Sequence, residues 1–129
     1  SIAKYLHDTV AQMPEFQPYS EEVPNPIFTW LMKPEFQKTA KWTLFDLQDK
    51  LAQKGWMVPA YTLPANIQNV VVMRVLCKQG FSRDMADQLL NDIRFAITEL
   101  NALEYPTTTR IAMEKNIPLV PKSFNHTGK

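Results

Sequence analysis

The sequence predicts an α+β domain: a small, mainly antiparallel sheet with helices packed on one face. Three observations carry that expectation. Two runs, Ile27–Met32 and Asn69–Cys77, are rich in β-branched and aromatic residues. Two longer stretches, one from Thr43 and one from Ser82, repeat apolar residues at helical spacing. The resulting order α, β, α, β, β, α lacks regular βαβ alternation, which argues against a parallel sheet.

Residues 1–12 read as a helix, because Ile2, Tyr5, Leu6 and Val10 recur at helical spacing and Pro14 ends the pattern. It begins with no loop before it, as a piece of a larger protein would. Ile27–Met32 is a short strand between Pro26 and Pro34. The next helix has Thr43 as N-cap, Leu44, Leu47, Leu51 and an offset Ala52 as its stripe, and Gly55 at the position after its C-cap. Val58–Leu63 is extended, kept short or at an edge by Pro59 and Pro64. Val70, Val71, Val72, Met73, Val75 and Leu76 are apolar on both parities, which suits a strand buried on both faces. Gly80 turns the chain into the longest helix, from the N-cap Ser82 to about Leu103, with Met85, Leu89, Ile93, Ala96, Leu100 and Leu103 as its apolar face.

Seven of the 10 prolines fall in two clusters, at 14–26 and at Pro106, Pro118 and Pro121. Proline fixes φ and removes a backbone donor, so both stretches are expected to be extended connectors. We divide the chain accordingly into a domain at 1–103 and a proline-punctuated tail at 104–129.

Composition excludes several function classes. The chain has 129 residues, enough for one core, and 14 basic against 13 acidic residues leave a formal net charge of +1. That balance offers no footprint for nucleic acid. No apolar run reaches the length of a membrane span. The single cysteine, Cys77, rules out an internal disulfide framework and suits a reducing, cytoplasmic setting. Two distant histidines and one cysteine argue against a metal site.

Few residues suggest chemistry. Arg74 lies in the middle of the most apolar strand, and by alternation it shares a face with Val70, Val72 and Leu76. A guanidinium there must reach a carboxylate or water, because burying it unpaired is prohibitive. A structural ion pair satisfies that need; so does a rigid fork that captures a substrate carboxylate. His126 stands near the end in Ser123-Phe124-Asn125-His126-Thr127, where a histidine is usually just solvated, as is His7 on the first helix. Its neighbour Phe124 prefers a pocket to water, so an aromatic anchor beside a titrating imidazole makes a physically sensible plug. Cys77 has no base beside it and reads as a small buried hydrophobe. Gly55 and Gly80 sit in no phosphate-binding loop, and the dispersed Trp30, Trp42 and Trp56 fit packing. The chain carries no complete active site of its own.

Several segments together bring in a family. Thr43-Leu44-Phe45-Asp46-Leu47, Gly55-Trp56-Met57-Val58-Pro59-Ala60-Tyr61-Thr62-Leu63, Val72-Met73-Arg74-Val75, Gly80-Phe81 and the helix with Asp84, Ala86, Asp87, Leu89 and Leu90 resemble the C-terminal region of bacterial glutamate decarboxylases. Ser123-Phe124-Asn125-His126-Thr127 resembles the ending of acid-induced members. The match covers roughly residues 1–103 and the last seven, in the family's order. Asn125 departs from the basic residue common in that ending, Gly128-Lys129 extend past it, and Thr107 to Lys122 is longer and richer in proline.

The resemblance implies the C-terminal small domain of an aspartate-aminotransferase-like fold, with a large cofactor domain upstream in the same polypeptide. It implies pyridoxal phosphate as cofactor, glutamate as substrate and a homo-oligomeric enzyme. The family's cofactor lysine follows a histidine, whereas here His7 precedes Asp8 and His126 precedes Thr127. The resemblance therefore places the Schiff-base lysine outside this chain, which alone is expected to be inactive. Arg74 matches the family's arginine for the substrate α-carboxylate, and His126, with Phe124, matches the tail that closes the site at higher pH. Two other readings stay open: a non-catalytic α+β interaction module, and the small domain of a pyridoxal-phosphate decarboxylase for another amino acid.

Overall fold

A computed structural model describes residues 1–19, 27–63, 70–117 and 119. Among these, the elements in chain order are α1 (Ile2–Val10), β1 (Phe16–Pro18), β2 (Ile27–Met32), α2 (Pro34–Thr39), α3 (Leu44–Gln53), β3 (Ala60–Thr62), β4 (Val71–Leu76), α4 (Arg83–Asn101) and α5 (Thr108–Glu114). The strands form one sheet in the order β1-β2-β4-β3, and all three pairings are antiparallel. This is the α+β layer that the pattern of elements predicts.

Register decides what each face does. Trp30 pairs with Met73, Phe28 with Val75 and Ala60 with Met73, so these side chains share one face. They join Leu6 and Val10 of α1, Leu47 and Leu51 of α3, and Leu89 and Ile93 of α4 in a continuous core. Phe16 packs edge-on to Trp42 with ring centroids 6.3 Å apart, linking the edge strand to the loop before α3. The opposite face carries Thr29, Leu31, Tyr61, Val72, Arg74 and Leu76. Val72 is fully buried there, Arg74 is half-buried, and Leu76 is 47% exposed. β4 is thus covered throughout on its helix side and only locally on the other, whereas its apolar composition suggests burial on both.

Helix ends follow the expected chemistry. Ser82 accepts a hydrogen bond from the Met85 N–H at 3.1 Å, capping α4. Gly55 takes φ 91° just after α3, where the Trp56 N–H returns to the Leu51 carbonyl at 3.0 Å. Asp46 reaches back to the Thr43 N–H at 2.8 Å, which is one half of a capping box. The apolar face of α4 keeps Leu89, Ile93, Ala96 and Leu100 of the one read in the sequence and departs from it at the two ends. Ala86, Leu89, Leu90, Ile93, Ala96, Ile97 and Leu100 are buried, while Met85 is 42% and Leu103 36% exposed. Ala52 of α3 is exposed as well.

The stretch after Pro106 is not simply extended. Thr107 accepts from the Arg110 N–H at 3.2 Å and starts α5, and Pro106 and Pro118 flank that helix rather than interrupt it. Pro34 similarly occupies the first turn of the short α2, where its missing N–H costs nothing. In the earlier proline cluster, Phe16–Pro18 pairs as edge strand β1, where proline is tolerated.

Candidate functional site

Arg74 sits at the centre of β4, on the sheet face turned away from the helices. Its backbone N–H donates to the Pro59 carbonyl at 3.2 Å, and Thr29 is its direct partner on β2. The guanidinium carbon lies 5.1 Å from the centroid of the Tyr61 ring, and Nε is shut off from solvent. Strand pairing on both sides fixes the backbone under Arg74, and the aromatic face restrains the fork at the other end. Such an arginine presents a planar, permanently charged donor set to a carboxylate.

Two neighbours in this arrangement escape a reading of single residues. Tyr61 stands opposite Val72, one pleat along the same face from Arg74. Thr29 is the lone polar residue of Ile27–Met32, and it is 4% exposed. Parity within each strand marks both positions, but only the β2–β4 and β3–β4 registers bring them to Arg74.

Phe124 and His126 lie outside the described residues. His7 is exposed on α1, with Nδ1 3.2 Å from Asp8 Oδ1. Lys4 and then His7 hold the Asp8 carboxyl below its ordinary range through hydrogen bonds. Cys77 is buried, and burial pushes its thiol up, which makes it a poor nucleophile. Among the described residues no group of three or more histidines, cysteines and acids could hold a metal ion. No helix among them is long and apolar enough to cross a membrane.

A separate open groove of about 740 Å³ runs between α1 and α4, lined by Tyr5, Asp8, Gln12, Glu15, Arg94 and Thr98 among others. It lies in the helix layer, across the sheet from Arg74. Polar ties elsewhere are structural. Trp42 Nε1 donates to Asn101 Oδ1 at 2.8 Å, and Trp56 Nε1 to Asp92 Oδ2 at 2.7 Å. The Tyr5 hydroxyl donates to Asp87, and the Arg83 guanidinium lies 3.4 Å over the Tyr5 ring, joining α1 to α4.

The described residues do not form a pyridoxal-phosphate site. A Schiff-base lysine works from a desolvated position, yet Lys33 and Lys50 are only half-buried and the other described lysines are exposed. Gly55 and Gly80 adopt positive φ in turns with open space around them rather than cradling a phosphate.

Comparison with known proteins agrees with this incomplete site. No family model matches the chain. Glutamate decarboxylase beta of Listeria innocua is 37% identical over 100 residues, covering 78% of this chain and 21% of that protein. Glutamate decarboxylase of Solanum lycopersicum is 32% identical over 101 residues, with coverages of 78% and 19%. The solved structure of Lactobacillus brevis glutamate decarboxylase superposes with a TM-score of 0.71 at 29% identity, covering 80% of this chain and 23% of that one. The chain spans about a fifth of the length of these proteins. By sequence and by fold, the chain is similar to a stretch of the glutamate decarboxylases that makes up about a fifth of their length.

Proposed function

We propose that this chain is the C-terminal small domain of a longer, pyridoxal-phosphate-dependent glutamate decarboxylase, working in a cytoplasmic homo-oligomer. The whole enzyme takes up one proton per turnover, releases the α-carboxyl of glutamate as carbon dioxide and leaves 4-aminobutanoate. The cofactor is the electron sink, held by a lysine upstream of this chain. This domain contributes Arg74, whose fork receives the substrate α-carboxylate and orients it. The observation that carries the reading is a half-buried arginine, fixed by strands on both sides and by an aromatic ring, on the sheet face that the helices leave uncovered.

Regulation belongs to the same reading. Phe124 anchors the tail by apolar burial, on the order of 1.5–3 kcal/mol when fully covered. His126 supplies the pH sense, since an unperturbed imidazole titrates near ~6.5 and its cation resists burial. The plug closes as pH rises and opens as it falls. Truncation before Phe124, or His126→Ala, then extends activity toward neutral pH without lowering the acid-side rate; superimposable pH–rate profiles contradict the plug.

Assay of the full-length protein with pyridoxal phosphate against glutamate, aspartate and aromatic amino acids tests the substrate. Carbon dioxide release from glutamate alone supports the proposal. Release from a different amino acid favours a sister decarboxylase, and release from none favours a non-catalytic module.

A further inference from the structure

Thr29 and Arg74 are directly paired in the β2–β4 ladder, so both side chains rise from the same face of the sheet. In such pairs the Cβ atoms stand about 4.5–5.5 Å apart, close enough for both side chains to meet one small group. Thr29 is 4% exposed, and its Oγ1 has no hydrogen-bond partner among the described residues. A buried hydroxyl without a partner opposes folding, and valine would fill the same shape without that cost. A group received beside Arg74 would supply the missing partner.

A carboxylate fits this requirement. It offers about four lone-pair sites, of which a two-pronged guanidinium occupies two, so one further donor can be received. A threonine hydroxyl has one proton to give. We propose that the Thr29 hydroxyl is a second donor to the carboxylate that Arg74 receives, making the pair one subsite built across two strands. The proposal rests on the reading of Arg74 as a carboxylate-binding residue. Arg74 supplies the charge, and Thr29 fixes the rotation of the carboxylate about the axis of the fork.

The test uses the full-length holoenzyme. Thr29→Val, Thr29→Ala, Thr29→Ser and Arg74→Lys are compared in three readouts: the KM for glutamate, the calorimetric Kd of glutarate and the Tm. Glutarate keeps two carboxylates but has no amino group to react. Loss of one charge-assisted hydrogen bond raises KM and Kd about tenfold in Thr29→Val and Thr29→Ala. Thr29→Ser restores both to within about twofold of wild type, because it keeps the donor. Thr29→Val keeps or raises the Tm, since it removes an orphaned hydroxyl. Unchanged KM and Kd in both hydroxyl-free variants overturn the proposal, the hydroxyl then being met by water or left orphaned. If Arg74→Lys still weakens binding in that case, only the Thr29 proposal falls. If Arg74→Lys also leaves KM and Kd unchanged, the reading of Arg74 fails with it.

Discussion

The guanidinium of Arg74 lies 5.1 Å from the centroid of the Tyr61 ring, although the two side chains come from different strands. Tyr61 belongs to the three-residue edge strand β3 and pairs with Val72, so its ring reaches diagonally to Arg74. A short edge strand thereby restrains the guanidinium that this reading assigns to the substrate carboxylate. The ring face provides the restraint, because cation–π attraction needs the aromatic plane.

Tyr61→Phe in the full-length enzyme therefore keeps near-normal kinetics, whereas Tyr61→Leu lowers kcat/KM by about three- to tenfold, mostly through KM. Steady-state kinetics with a melting curve for each variant check this. Equal losses in Phe and Leu variants would assign the effect to the hydroxyl, and equal losses of Tm and activity would assign it to folding.

Asp46 is the anchor of α5. One of its oxygens, Oδ2, accepts from the Thr107 and Thr109 hydroxyls at 2.6 Å each and from the Thr43 N–H at 2.8 Å. Asp46→Ala removes these bonds, among them the N3 half of the α3 capping box, at a cost of about 2 kcal/mol. Hydrogen exchange then accelerates across Thr108–Glu114 before it does in α4. Unaltered exchange in α5 would show that its apolar contacts, including Met113, suffice to dock it.

The buried face of α4 separates two methionine and leucine positions that look alike in the sequence. Leu89→Ala opens a cavity in the core and costs about 2–5 kcal/mol. Met85→Ala changes stability by less than about 1 kcal/mol, since Met85 is already 42% exposed. Urea denaturation of both variants decides the matter; a large loss at Met85 would restore the face read from spacing alone.

Periodicity made the long helices and the two main strands legible, because one buried face per element dictates the spacing of its apolar residues. The turn chemistry at Gly55 and Ser82 was legible for the same kind of local reason. The ends of the α4 face were not, since Met85 and Leu103 continue the apolar spacing at positions that stay partly exposed. β1, α2 and α5 span three to seven residues and owe their form to pairing and docking, which leave almost no periodic signal. Arg74 stood out as a charge inside an apolar strand. Tyr61 and Thr29 did not, because register joins them to Arg74 and register is a property of two strands at once.

Cys77 gives an alkaline signature. Burial raises its folded-state pKa above the ordinary thiol value of 9.0. A raised pKa contributes stability that is fully present below the unfolded value and is lost as pH rises through the folded one. The gap in Tm between wild type and Cys77→Ala should stay constant through neutral pH and narrow above about pH 9. A gap that narrowed on acidification would contradict the sign.

Carbon dioxide release from glutamate by the full-length enzyme, compared between wild type and Arg74→Lys, separates a carboxylate-binding Arg74 from a structural one. Lysine keeps the charge and loses the two-pronged fork. The account predicts that wild type releases carbon dioxide from glutamate, and that kcat/KM falls about 100-fold in Arg74→Lys while the Tm stays within a few degrees. A Tm that fell in proportion to activity would instead make Arg74 a structural ion pair. Absence of release by the wild-type holoenzyme would contradict the decarboxylase reading itself.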